Sequence, residues 1–381
     1  MDFNFKEEQL AFADALKRWV TKDYSFDARR KIVHSPSGVS DAAWTTLVEL
    51  GMTALPVPEE QGGFNGSALD MLVVMQELGR GLVVEPYLAT VMGAEALKTG
   101  GGHPQLLEQV AVGELKLACA FTEKQSRYDL ADIATTATAQ DGAYVINGTK
   151  SIVLHGAQAG SLLVSARSSG AQRDAAGISL FVVPSSTAGV AITDFRTLDG
   201  LRAANITFTN VQLPAAALVG TEGTAWDTLE HTVDYGAALL CAEALGAMEA
   251  IFAATLDYLK TRTQFGAPIG KFQALQHRMA DMYIHLEQAR SMAILAAVKM
   301  ASGDAAERRR TVSAAKFRVG QALKFVGQQA VQLHGGMGVT NEVMAAHHFK
   351  RLTMIELTLG DCDHHLQRFI AQPGFATDGE P

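Results

Sequence analysis

The sequence predicts an α+β fold in three parts: an N-terminal helical domain (residues 1–116), a middle antiparallel β domain (117–222) and a C-terminal bundle of long helices (223–381). Two observations lead there. Apolar residues recur every three or four positions in the first part, every second position in the middle, and every three or four again to the end. At 381 residues, the chain also exceeds one ordinary hydrophobic core, so several domains are expected.

In the first part, Leu10, Ala13, Leu16 and Val20 form one stripe and Met71, Val74, Met75 and Leu78 another. Gly51, Gly79 and Gly100–Gly102 fall where these helices are expected to stop. Leu55-Pro-Val-Pro-Glu-Glu-Gln-Gly-Gly63 reads as a loop, because its prolines and glycines leave no room for a helix. In the middle, short β-rich runs cover Leu117–Thr122, Tyr144–Lys150, Leu162–Ala166, Ile178–Val183, Val190–Asp194 and Asn205–Val211. Asp141-Gly142 and Asn147-Gly148 are expected to turn the chain between strands. Arg167–Gly177, rich in Ser, Ala and Gly, reads as a mobile hairpin tip. Many strands with little helix between them suggest an antiparallel sandwich or barrel. In the last part, three stripes define long helices. They run through Leu240, Ala244, Ala247 and Ile251; through Leu275, Met279, Met282, Leu286 and Ala289; and through Val312, Ala315, Val319, Ala322, Val326 and Ala330. Short loops between them point to an antiparallel bundle.

Composition narrows the function. A chain that is 48% hydrophobic and 19% charged is that of a soluble globular protein. A formal charge of −8 argues against non-specific nucleic-acid binding, which needs a basic surface. Cys119, Cys241 and Cys362 lie far apart, which suits a reduced cytoplasm. The opening Met-Asp-Phe-Asn-Phe-Lys-Glu-Glu has no signal-peptide core, and no uninterrupted apolar run approaches the roughly 20 residues that span a bilayer. A cytoplasmic enzyme without a membrane role is the expectation.

Two segments carry chemistry. Arg262-Thr-Gln-Phe-Gly-Ala-Pro-Ile-Gly-Lys-Phe-Gln273 joins two long helices and offers a guanidinium, two amides and two aromatic rings at one junction. Such a set can grip a phosphate bidentately and stack on a planar ring; an ordinary helix–loop–helix corner has the same look. Gln332-Leu-His-Gly-Gly-Met-Gly338 ends the third stripe, and its glycines expose backbone N–H groups to a close-approaching nucleotide. A glycine-rich helix end is the plainer reading. It is neither a dinucleotide-binding GxGxxG after a strand nor a Walker A loop.

A helical, β, then helical chain carrying these two motifs in this order resembles the acyl-CoA dehydrogenase family over essentially its whole length. Ser126-Arg-Tyr-Asp-Leu and Leu359-Gly-Asp-Cys-Asp-His-His-Leu resemble the small-subunit branch named for pimeloyl-CoA dehydrogenase. The resemblance implies FAD bound across a subunit interface. Arg262, Gln264 and Phe265, with Gln273 closing the motif, match contacts to the diphosphate and adenosine of an FAD held mainly by the neighbouring subunit. Gln332, Gly335 and Gly336 match a second dinucleotide contact, and Thr122 matches the residue that hydrogen-bonds the flavin ring. A homodimer or homotetramer is then implied, or a heterotetramer with a paralogous subunit, with an electron-transfer flavoprotein as electron acceptor.

The family's reaction takes the α-proton of an acyl thioester onto a carboxylate. Aligning backward from Leu366-Gln-Arg-Phe-Ile370 puts Asp361 at that position, and aligning forward from Gly335 puts Leu359 there. Glu356 is the nearest glutamate. Asp361 is the expected base; being one methylene shorter than Glu, it needs the backbone or substrate to close the gap. Where some relatives place the base on the preceding helix, this chain has Gly236, followed by Ala237 where an Arg is common. The family's glycine-rich loop reads Thr122-Glu-Lys-Gln-Ser-Arg-Tyr-Asp129, and its Trp-Ile-Thr reads Ile152-Val-Leu154, which removes a hydroxyl. Arg127 and Tyr128 either bind a distal carboxylate, block the channel or make a surface pair; with Gly236 they are the candidate substrate contacts. Asp361, Asp363, His364 and His365 have ligand-like spacing, yet adjacent histidines diverge on a helix and the resemblance implies no metal. The reading is an acyl-CoA dehydrogenase that forms a trans-2-enoyl-CoA, with an FAD-sharing, weakly catalytic or non-catalytic subunit of a heteromeric enzyme as the alternative.

Overall fold

The computed structural model describes residues 6–372; the first five residues, part of the stretch read for a signal peptide, lie outside these. In chain order, the helices α1 (Glu7–Lys22), α2 (Phe26–His34), α3 (Asp41–Glu49), α4 (Ala68–Gly81), α5 (Tyr87–Gly100) and α6 (Pro104–Ala111) come first. Strands β1 (Leu117–Ala120), β2 (Thr136–Gln140), β3 (Ala143–Leu154), β4 (Ser161–Arg167), β5 (Ile178–Pro184), β6 (Val190–Arg196), β7 (Arg202–Pro214) and β8 (Leu218–Val219) follow. The chain closes with α7 (Trp226–Thr261), α8 (Gln273–Lys299), α9 (Ala305–His334), α10 (Met344–Leu357) and α11 (Cys362–Ile370). Its contacts gather into two compact units, one of residues 6–31, 67–83 and 237–372, the other of 32–66 and 84–236.

The first unit is helical apart from one two-stranded hairpin at residues 263–268. The stripes read from sequence are its core: Leu240, Ala244, Ala247 and Ile251 of α7 and Val312, Ala315, Val319, Ala322, Val326 and Ala330 of α9 are fully buried. Capping marks several helix starts. Ser67 and Asp70 form a reciprocal box at α4, and Asp304 accepts from the Ala306 N–H at α9. Gly79 does not stop its helix. It lies inside α4, where an added Cβ would sit 2.0 Å from the Glu243 carbonyl oxygen, and a Cβ on Gly246 would sit 1.7 Å from that of Gln76. Both glycines exist so that α4 and α7 can touch backbone to backbone.

By length and composition α7 would cross a membrane, although 72% of its most apolar window is buried within the protein. Within its most apolar stretch, Glu243 and Glu249 are the acids that break the run. Glu243 accepts from Arg351 Nε and Nη2 at 2.6 and 2.8 Å, both side chains being buried. Glu249 takes Arg290 at 2.6 Å and also binds Arg80 and Gln76. Buried carboxylates need such partners, since an unpaired charge there costs several kcal/mol.

The second unit is built on one sheet in the order β6-β7-β3-β2-β4-β5-β8, with β1 added beside β4. It is not purely antiparallel as expected. β1 runs parallel to β4 over four residue pairs, and β2 meets β4 in parallel at Thr136 and Arg167. The intervening β2–β3 hairpin lets the chain return in the same direction. All of β4 is buried, because Leu163 packs with α5 and α6 while Leu162 and Val164 pack with β3 and β7. β2 was not read from sequence: its Thr-Ala-Thr-Ala-Gln has few β-formers and buries one side chain.

Two turn expectations change. Asp141-Gly142 does turn the chain, with φ of 50° and 77°. Asn147-Gly148 instead lies inside β3 at a bulge against β7. The Asn147 carboxamide accepts from the Asn210 N–H at 2.8 Å, and Gly148 has φ 148° with Thr135 packed where a side chain would stand. Residues 168–177 form the β4–β5 connection, and Arg167 organises it. Its guanidinium donates to the carbonyls of Ala131, Gln172, Asp174 and Ala176 at 2.7–2.9 Å, so this tip is tethered from within.

Gly246→Ala should lower unfolding stability by about 2 kcal/mol or more, since its new methyl overlaps backbone rather than a yielding side chain. Chemical denaturation measures this, and an unchanged midpoint would contradict the close α4–α7 crossing.

Candidate active site

In the sheet-containing unit, Thr122 follows β1 and its carbonyl accepts from the Ser151 N–H at 2.9 Å. Ser151 and Ile152 bulge out of β3, between Lys150 and Val153. Ile152 has φ 54° and its amide donates to Asn205 Oδ1. The structure therefore brings Thr122 beside Ile152-Val-Leu154, the two segments separately singled out in the sequence. Beneath them lies a buried ion pair. Lys150 Nζ donates to Glu123 Oε1 at 2.7 Å and to Ser165 Oγ at 3.1 Å, and Glu123 also accepts from the amides of Ala134 and Thr135. Burial would raise the Glu123 carboxyl, but the Lys150 ammonium and these donors outweigh it and hold it near about 2. Burial likewise pushes the Lys150 ammonium down to about 8, against the pull of Glu123.

The turn that follows is closed by Ser126, whose Oγ accepts from the Glu123 N–H at 2.9 Å and whose carbonyl accepts from the Asp129 N–H. Arg127 is exposed, in the left-handed region at φ 48°, and its guanidinium lies 5.4 Å from the centre of the Tyr128 ring. Gly236 and Ala237 are buried within α7.

In the helical unit, the helix that leads into the first motif meets the second. Tyr258, one helical turn before Arg262, stacks on His334 at 4.6 Å between ring centres. Arg262, Gln264, Phe265 and Gln273 are all exposed, Phe265 by 92%. Thr263–Gln264 and Ala267–Pro268 form a tight hairpin through Phe265 and Gly266, whose φ values are 53° and 74°. Gln332, Gly335 and Gly336 are exposed too, and a Cβ on Gly266, Gly335 or Gly336 would meet nothing within 4 Å. A guanidinium, carboxamides, an upright aromatic ring and open backbone at one end of the helices suit a dinucleotide diphosphate and its base.

Asp361 is the N-cap of α11, where its Oδ1 accepts from the His364 N–H at 2.8 Å. It is presented by Leu359 and Gly360, at φ 57° and 109°. Glu356, by contrast, is buried and committed: Lys324 Nζ lies 2.8 Å from its Oε1, which also accepts from the Cys362 N–H at 3.1 Å. Burial opposes its ionisation, but Lys324 and that amide keep its pKa below the usual glutamate value. His365 is buried with Nε2 3.0 Å from the Leu359 carbonyl. Among the described residues no group of three His, Cys, Asp or Glu side chains is placed to hold a metal ion.

Sequence reading missed Lys150, Glu123 and Lys316. The signal was present in the periodicity. Lys150 continues the inward series Tyr144, Ile146, Gly148, and Lys316 stands on the same α9 face as Val312 and Val319.

Comparison with known proteins decides the family. Models described as the acyl-CoA dehydrogenase N-terminal, middle and C-terminal domains match residues 6–108, 118–211 and 223–371. The chain belongs to the acyl-CoA dehydrogenase family. It is 30% identical to the mitochondrial short-chain specific acyl-CoA dehydrogenase of Bos taurus over 84% of this chain and 79% of that one. Its fold matches butyryl-CoA dehydrogenase from Megasphaera elsdenii with a TM-score of 0.89 and 25% identity, covering 97% of this chain and 98% of that chain. It also matches the ChsE4–ChsE5 complex from Mycobacterium tuberculosis, with a TM-score of 0.87 and 26% identity over 97% of each chain. The family is FAD-dependent and oxidises acyl-CoA, so this acyl-CoA dehydrogenase is a flavoprotein oxidoreductase. The open glycine backbone and the exposed donor set fit that cofactor.

The Glu123 carboxyl is held below its unfolded value of 4.5, so between about 2 and 4.5 the unfolded chain binds more protons than the folded one. The stability it contributes is complete above pH 4.5 and drains away as pH falls toward 2. Glu123→Gln should therefore lower Tm at neutral pH, with the gap to the parent enzyme closing under acid. A gap independent of pH would contradict an ionised pair.

Proposed function

We propose that the enzyme converts an acyl-CoA to its trans-2-enoyl-CoA, with Asp361 as the base that removes the α-proton. The observation carrying this reading is the contrast between the two acids near the end of α10. Glu356 is buried against Lys324 and the Cys362 amide, while half-buried Asp361 heads α11 on a turn with two left-handed residues. Arg262, Gln264, Phe265, Gln273, Gln332, Gly335 and Gly336 would hold the diphosphate and adenosine of FAD, and Thr122 its ring. FAD held by these residues would supply the acceptor for the hydride that leaves the β-carbon. Their exposure in the single chain supports a cofactor shared with a second subunit, in a dimer or tetramer. Asp361 takes the proton at its carboxylate oxygen, and Arg127, Tyr128 and Gly236 contact the acyl portion. Reducing equivalents would leave through an electron-transfer flavoprotein.

A second reading, an FAD-sharing subunit of a heteromeric enzyme, is favoured by one feature of the site. Leu154 and Ala237 replace a hydroxyl and a guanidinium that the resemblance leads one to expect, and a two-protein complex is among the similar structures.

Asp361→Asn should retain FAD and lose anaerobic bleaching by a suitable acyl-CoA by about 10³-fold, within the range of general-base contributions. Bleaching at the parent rate would remove Asp361 from the role. Parent protein that bleaches only after co-expression with a paralogous dehydrogenase would establish the second reading.

A further inference from the structure

The turn that carries Asp361 is gripped from behind by a buried cation that the reaction itself does not use. Lys316, on α9, is 2% exposed, and its ammonium donates to the carbonyls of Ile355 at 2.9 Å, Glu356 at 3.1 Å and Gly360 at 2.8 Å. An ammonium has three N–H donors, and all three are spent here. Ile355 and Glu356 lie in the last turn of α10, where carbonyls run short of helical partners, Ile355 keeping only a 3.3 Å bond from the Thr358 N–H, and where positive charge is favoured. Gly360 immediately precedes Asp361. One side chain therefore ends α10 and sets the start of α11.

The same turn has further ties. The His365 ring lies 3.0 Å from the Leu359 carbonyl, and the Cys362 N–H reaches Glu356. A Cβ on Gly360 would stand 2.5 Å from His365 Nε2, so the backbone fits this space only as glycine. Among the described residues this ammonium meets no carboxylate within hydrogen-bond distance but three backbone oxygens spanning the turn.

We propose that Lys316 is a positioning residue for α-proton abstraction, holding the Leu359–Gly360 backbone so that the short Asp361 side chain reaches the substrate α-carbon. This rests on the reading of Asp361 as the base. Aspartate has no spare methylene to absorb a backbone shift, and a misplacement of about 1 Å in a catalytic group costs on the order of 10²-fold in rate.

The test uses the FAD-loaded enzyme with Lys316→Met, and Lys316→Gln as a milder variant should the first fail to fold. Flavin reduction by acyl-CoA is followed anaerobically, normalised to bound FAD, with protiated and α-deuterated substrate. The expected result is a reduction rate lowered about 10²-fold, a larger α-deuterium isotope effect, and a KM and FAD content close to the parent's. In an Asp361→Asn background, Lys316→Met should slow the reaction no further. If FAD-loaded variants have a lower Tm but reduce at the parent rate with the parent isotope effect, Lys316 is merely structural and the inference is overturned. If Asp361→Asn itself reduces at the parent rate, the base assignment has failed, whatever the Lys316 variants do.

Discussion

The helical unit depends on Glu243. It sits in the middle of a helix otherwise apolar enough for a membrane, and it is buried, so it must be matched. Arg351 of α10 matches it with a two-pronged contact, which fixes both the distance and the rotation of α10 against α7. The helix so fixed is the one whose C-terminal end leads to Asp361. Lys316 then reaches that end from α9, so α10 is held along its length by one buried arginine and at its tip by one buried lysine.

The sheet-containing unit solves a similar problem with Glu123 and Lys150. Neither is tolerable alone in that interior, and together they join the residue after Thr122 to the strand that bulges at Ile152. Rigid placement of Thr122 follows from charge balance rather than from the threonine itself. In both units the residues proposed nearest the chemistry are small or polar, and buried ions lie one step behind them.

The dinucleotide motifs behave in the opposite way. Arg262, Gln264, Phe265 and Gln332 are exposed, and the glycines among them face open space. A ring as exposed as Phe265 gains little by burial within its own chain, and the contribution proposed for it is to the cofactor.

Helix stripes, most strands and the family were legible in sequence, because period and local motif are properties of neighbouring residues. Gly79 and Asn147-Gly148 were misread for a physical reason: glycine serves a helix end, a bulge or a close helix crossing equally well, and only the opposing backbone tells which. The parallel pairing of β1 with β4 and the short β2 were likewise settled by partners far along the chain. Sequence by itself placed Asp361 and Glu356 as rivals five residues apart. Tertiary structure gives them different surroundings, since Lys324 and the Cys362 amide meet Glu356 while Lys316 meets the Gly360 carbonyl, and no local pattern records which distant cation will meet which oxygen.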